Sequence, residues 1–193
     1  MNNIGLYFGT FNPIHIGHLI IANHLVEHTD LDAVWMVVTP RSPFKKKATL
    51  LDNYERYDLV YKATAPYPLL QPTDIEFGLP QPSYTINTLA YLQEKHPEKK
   101  FSLIMGEDNL QGLHKWKNHE EILKNHSIYV YPRVSNNSKK VQVTSENIHH
   151  IAAPIVEISS THIRKSIKAG KNVRPLLPEP VWKYISEMNL FKK

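Results

Sequence analysis

Ten residues near the start of the chain, Gly9-Thr10-Phe11-Asn12-Pro13-Ile14-His15-Ile16-Gly17-His18, constrain it more than any other stretch. Before them, Ile4-Gly5-Leu6-Tyr7-Phe8 is an apolar run that reads as a buried first strand. After them, Leu19 to Val26 reads as a helix. A glycine-bearing turn between a first strand and a first helix is where open α/β sheets hold phosphates, because the helix start presents unpaired N–H groups to an anion. Here the turn also carries His15 and His18, whose three-residue spacing puts both imidazoles on one face of the first helical turn. Their ring N–H groups can donate to phosphate oxygens, and a nearby polyanion favours the imidazolium form. A metal site would need a third ligand, and no acidic residue lies in the turn. The bland alternative is that one histidine caps the helix and the other packs in the core.

The rest of the chain alternates short apolar strands with amphipathic helices, which argues for an α/β fold with an open, mostly parallel sheet flanked by helices. Ala33 to Thr39 reads as a strand buried on both faces. Pro40 to Thr49 is a basic loop, and Asp52 is placed to cap a helix to about Thr64, with Glu55 at the capping-box position. Five prolines between residues 66 and 82 dictate extended loop and short strand. Ser83 is placed to cap a helix to about Lys95. Phe101 to Met105 reads as a core strand ended by Gly106. A helical stretch follows around 118–124, then a strand over Ser127 to Tyr131. Residues 134–147 read as an exposed loop, and Ile151 to Ile158 as a last extended segment. Helices are expected over about 160–169 and 179–188. A length of 193 residues suits one domain, 1–193, with a small C-terminal helical part from about 158. At 41% hydrophobic residues the chain can bury a full core. It has no cysteine, no apolar run long enough to span a membrane and no visible signal peptide, so a cytoplasmic setting is expected. The net charge of +5 favours anionic ligands without choosing among them.

A second constellation is Ile158-Ser159-Ser160-Thr161-His162-Ile163-Arg164. Hydroxyls at a helix start satisfy its free N–H groups, the same end can hold an anion, and Arg164 one turn on can reach that anion. Alone, it could be a simple cap. Three further elements are Pro82-Ser83-Tyr84-Thr85, Gly106-Glu107-Asp108-Asn109 followed by Trp116, and Leu176-Leu177-Pro178-Glu179-Pro180-Val181. The opening His15-Ile16-Gly17-His18 turn resembles the signature of the nucleotidyltransferase superfamily. With the other elements, nearly the whole chain resembles bacterial nicotinate-nucleotide adenylyltransferases.

That resemblance implies a Rossmann-like nucleotidyltransferase fold and adenylyl transfer from ATP to nicotinic acid mononucleotide in NAD biosynthesis, giving deamido-NAD and pyrophosphate directly. It implies that Gly9, Thr10, Phe11, His15, His18, Ser159, Thr161 and Arg164 bind ATP, with His15, His18 and Arg164 catalytic and Gly106 and Asp108 near the ribose groups. It implies that Thr85, Trp116, Lys117, Lys45 and Arg133 serve the mononucleotide. Core packing for Trp116, a solvated loop for Lys45 and a surface ion pair for Arg133 stay open as alternatives. One departure is Phe44, where the family often has a histidine before the lysine. Mg²⁺ is expected to ride on the ATP phosphates rather than on protein ligands. No nucleic-acid or membrane partner is expected, and a homo-oligomer is left open. Two alternative functions are a sister nucleotidyltransferase using nicotinamide mononucleotide or phosphopantetheine, and a nucleotide sensor or nucleic-acid-binding module. The segments 40–49 and 106–118 are candidates for closure over substrate.

Overall fold

The computed structural model describes residues 1–40, 50–133 and 143–192. Six strands form one sheet, in the order β3-β2-β1-β4-β5-β6. They are β1 (Asn3–Gly9), β2 (Ala33–Val38), β3 (Leu70–Thr73), β4 (Lys100–Gly106), β5 (Ile128–Tyr131) and β6 (Ile148–His150). Every neighbouring pair is parallel. The α-helices of the described residues are α1 (Ile16–His28), α2 (Asn53–Thr64), α3 (Thr85–Lys95), α4 (Glu107–Gln111), α5 (His119–Asn125), α6 (Ser160–Lys168) and α7 (Glu179–Glu187). No helix among them is long and apolar enough to cross a membrane.

The strand runs are apolar because both sheet faces are covered. Alternate residues feed two cores. Tyr7, Val34, Met36, Val38 and Ile104 pack under α1, α2, α6 and α7. Ile4, Leu6, Val37, Leu103 and Met105 pack under α3 and α5. β1 lies in the middle, between β2 on one side and β4 on the other. The chain therefore winds outward to β3, returns, and winds the other way. Beyond the carboxyl end of β1 the two sets of connecting loops part, and a crevice opens at that reversal.

Several local expectations differ from the structure. The last strand is Ile148–His150, not 151–158. The Ile151 N–H still reaches the Val130 carbonyl, but the chain then folds back through an Ala153 N–H to Ile151 carbonyl bond. Pro154 follows, with no N–H to give a neighbour. Ser83 does not cap α3: its hydroxyl pairs with Gln81 Oε1, and Tyr84 holds the cap position with no side-chain bond. Asp52 caps α2 through the Tyr54 N–H at 2.9 Å. Glu55, however, makes no capping box, and its carboxylate accepts from Tyr184 of α7. The 106–118 segment holds α4 and a 3₁₀ turn over Leu113–Lys115. Both are too short to leave a periodic trace. Pro72 is tolerated in β3 because that strand is a sheet edge.

Arg56 of α2 ties the carboxyl-end loops together. It is fully buried, at 0% exposure. Its guanidinium donates to the carbonyls of Thr10 (2.6 Å), Thr39 (2.8 Å), Pro40 (3.1 Å) and Leu51 (3.1 Å), and to Asn53 Oδ1 (2.7 Å). Burial lowers its pKa to about 10, with Asp52 pulling the other way, so it is charged at neutral pH. The loops after β1 and β2 thus share one cation through their main chains. Arg56→Met strands those acceptors in the interior and is expected to cost about 2–4 kcal/mol. A lower urea midpoint at unchanged m-value checks this, and an unmoved midpoint contradicts it.

Candidate active site

Among the described residues, nineteen line a cleft of about 390 Å³ at the carboxyl end of β1. Gly9, Thr10, Phe11, Asn12, His15 and His18 form one wall, and Ser159, Ser160, Thr161 and Arg164 another. Asp108, Asn109, Tyr7, Tyr131 and Arg133 form the third. Ten of the fifteen expected site residues are in this lining: Gly9, Thr10, Phe11, His15, His18, Asp108, Arg133, Ser159, Thr161 and Arg164.

The first wall is held in a demanding shape. Phe11 sits at φ +43°, in the left-handed region that L-residues rarely adopt, at a cost of about 1–3 kcal/mol. Its ring is buried, packing edge-on against Tyr7 at 6.0 Å and His18 at 5.0 Å. The same ring lies over Gly9, where a Cβ would come within 2.7 Å of it. Gly9 is required by that contact. Gly17 is packed as tightly, with Val156 at 2.9 Å and the His15 ring at 3.1 Å from its would-be Cβ.

His15 is the N-cap of α1 and His18 its third residue. The two rings stack, with centroids 3.7 Å apart. The His15 backbone N–H donates to His18 Nδ1 at 3.2 Å. That bond uses the Nδ1 lone pair, so a neutral His18 carries its proton on Nε2 and is an N–H donor there. His15 faces the α1 start in the reciprocal, capping-box arrangement, but its buried Nδ1 has no partner at hydrogen-bond geometry. Burial, then the Arg133 charge, lowers the His15 pKa to about 4. His15 is therefore a neutral imidazole at pH 7, against the imidazolium that a nearby polyanion favours.

The second wall belongs to α6. Ser159 caps it, accepting from the His162 N–H at 3.2 Å. Ser160 Oγ donates to the Pro13 carbonyl at 2.8 Å, and Arg164 Nη1 to the Asn12 carbonyl at 2.7 Å. Arg164 Nη2 reaches Thr161 Oγ1 at 3.3 Å. These contacts close the two sequence motifs onto one cleft. On the third wall Arg133 pairs with Asp108 at 3.7 Å and donates to the Tyr131 hydroxyl at 3.2 Å. Gly106 ends β4 and caps α4 just before Asp108, without lining the cleft.

Thr85, Trp116 and Lys117 lie outside this lining. Lys117 Nζ sits 4.8 Å from the Tyr84 ring centroid, so the start of α3 and the residue after Trp116 are neighbours. Trp116 is half-buried against the second core. Lys45, with Phe44 and the rest of 41–49, falls outside the described residues, as does 134–142. Among the described residues no group of three or more His, Asp or Glu could hold a metal ion. Arg56, Ser160, Tyr7 and Tyr131 carry no sequence signal of their place around the site. Only Ser160, next to Ser159, sits within a motif.

Residues 6–166 match the cytidylyltransferase-like family model. A Flavobacterium psychrophilum protein named "Probable nicotinate-nucleotide adenylyltransferase" is 66% identical over 98% of this chain and 99% of its own. A Flavobacterium johnsoniae protein of the same name is 63% identical, again over 98% and 99%. A solved Plasmodium falciparum nicotinic acid mononucleotide adenylyltransferase in complex with NaAD superposes with a TM-score of 0.79 at 16% identity, covering 100% of this chain and 98% of that one. At that identity the superposition speaks to fold alone.

The lowered His15 pKa gives the site a pH signature. The unfolded chain protonates His15 near pH 6.5 and the folded chain near 4, so between those values the unfolded state holds the extra proton. Stability from this group is complete above pH 6.5 and falls as the pH drops toward 4, by on the order of 3 kcal/mol at most. Thermal melts across pH 4–7 are expected to fall less steeply for His15→Gln than for the parent. Parallel profiles contradict a buried neutral His15.

Proposed function

The chain belongs to the nicotinate-nucleotide adenylyltransferase family, within the cytidylyltransferase-like proteins, and from that premise we propose how it joins ATP to nicotinic acid mononucleotide, giving deamido-NAD and pyrophosphate. The observation that carries the reading is the closure of α6 onto the first turn by the Arg164 bond to the Asn12 carbonyl. It makes one polyphosphate-sized cleft from two distant motifs. Gly9, Thr10, Phe11, His15, His18, Ser159, Thr161 and Arg164 bind ATP, with Asp108 and Gly106 beside its ribose. Arg133 and Lys45 face the mononucleotide phosphate. The start of α3 has no side-chain cap, so its first N–H groups, Thr85 included, suit a carboxylate. Trp116 stacks on the pyridine ring and Lys117 adds positive charge.

The nucleophile is a phosphate monoester oxygen with a second pKa of about 6, ionised at neutral pH. No general base is needed. That oxygen attacks the α-phosphorus of ATP in line, forming one P–O bond as the bond to the β-phosphate oxygen breaks and pyrophosphate leaves. The chain's task is positioning and charge stabilisation. His18 donates from Nε2, His15 is its stacked partner and Arg164 supplies fixed positive charge. A divalent cation such as Mg²⁺ would be held mainly by the ATP phosphates and would offset part of their charge.

Pyrophosphate release from ATP is expected only when nicotinic acid mononucleotide is added, read by a coupled assay. Release with nicotinamide mononucleotide or phosphopantetheine at equal kcat/KM would point to the sister activities. None with any acceptor would point to a sensor. His18→Ala is expected to lower kcat by about 10²–10³ with a small change in mononucleotide KM. A near-parental kcat removes His18 from the transition state.

A further inference from the structure

The third wall contains two buried phenols with more donors than they use on each other. Tyr7 Oη and Tyr131 Oη are 3.1 Å apart, from strands 124 positions apart in sequence. The rings meet edge to face at 5.9 Å. Arg133 Nη2 donates to Tyr131 Oη, and the Arg133 guanidinium also lies against the Tyr131 ring, 5.6 Å from its centroid. The proton count is then simple. Two phenols bring two protons, and their one shared contact consumes one. If Tyr131 donates to Tyr7, the Tyr7 proton is left over. If Tyr7 donates to Tyr131, the Tyr131 proton is. Either way the pair keeps one O–H to give, and both residues line the cleft. Burial, then Tyr131, raises the Tyr7 pKa well above the usual phenol value, so the proton stays on the pair at working pH.

The position of the pair matters as much as its count. Tyr7 packs edge-on to His18 with ring centroids 6.0 Å apart. On its other side Tyr131 holds Arg133. The phenols therefore stand between the residue assigned to ATP and the residue assigned to the mononucleotide phosphate. We propose that Tyr7 and Tyr131 act as one unit that fixes Arg133 and donates an O–H to a phosphate oxygen where the two nucleotides meet. The unit positions the attacking phosphate and takes no proton from it. This rests on the adenylyl-transfer reading for the identity of the two phosphates, and on the geometry alone for the spare donor.

Tyr7→Phe, Tyr131→Phe and the double variant remove only hydroxyl oxygens. Tyr131→Phe is expected to lower kcat/KM for the mononucleotide about tenfold, mostly through KM, while KM for ATP stays within about twofold. Tyr7→Phe is expected to fall in the same direction. The double variant removes the last O–H of the pair and is expected to fall at least about threefold below the worse single. Single variants with parental kinetics overturn the proposal, whatever their melting temperatures. So do a double variant no worse than the worse single, and losses that fall equally on both substrates. Calorimetric titration with inorganic phosphate, which stands for the mononucleotide phosphate, separates the two readings. A parent that binds inorganic phosphate without turning over the two nucleotides, and variants that bind it about tenfold more weakly, would overturn the substrates and support the donor.

Discussion

A parallel sheet sends every strand out through the same edge, and here that edge has to be organised by something other than the sheet. The strands supply direction and spacing, but they end at Gly9, Val38 and Gly106. Beyond those points the loops carry main-chain oxygens that need donors. Arg56 supplies them to the loops after β1 and β2, and Ser160 with Arg164 supplies them to Asn12 and Pro13. Most of these acceptors are carbonyl groups. The cleft is thus held open by cationic and hydroxyl donors grasping backbone, and Ser160 and Arg164 do so while lining the cleft themselves.

The electrostatics divide labour along the same lines. Burial keeps His15 neutral, so the stacked histidine pair does not carry two adjacent positive charges. Permanent positive charge sits instead on Arg164 and Arg133, which are bidentate donors that do not titrate in the working range. The imidazoles then offer direction, and the guanidiniums offer charge. In the proposed reaction, a polyphosphate between them would meet both without requiring a histidine to gain a proton first.

Much of this architecture was legible in the sequence because it rests on local pattern. Continuous apolar runs announced β1, β2 and β4, and the alternation with helices announced the parallel order. The two walls built from Gly9–His18 and Ser159–Arg164 were legible because a strand-to-helix turn and a hydroxyl cap leave residue signatures. What escaped notice rests on long-range or main-chain partners. Arg56 looked like any helical arginine, since its acceptors are mostly carbonyls that every residue owns. Tyr7 and Tyr131 read as ordinary strand aromatics, as nothing local tells that their hydroxyls meet. β6 ends in His149-His150, too polar to resemble a core strand, and α4 is too brief for periodicity.

The bonds from α6 to Asn12 and Pro13 span 152 and 147 positions. During synthesis the turn that they complete leaves the ribosome first, and the helix that completes it is among the last elements to follow. Until then the turn lacks the donors that α6 gives to the Asn12 and Pro13 carbonyls. Because α6 also supplies Ile163 and Ile167 to the core that Tyr7 and Ile104 enter, the chain completes that core and the wall of its cleft in one step.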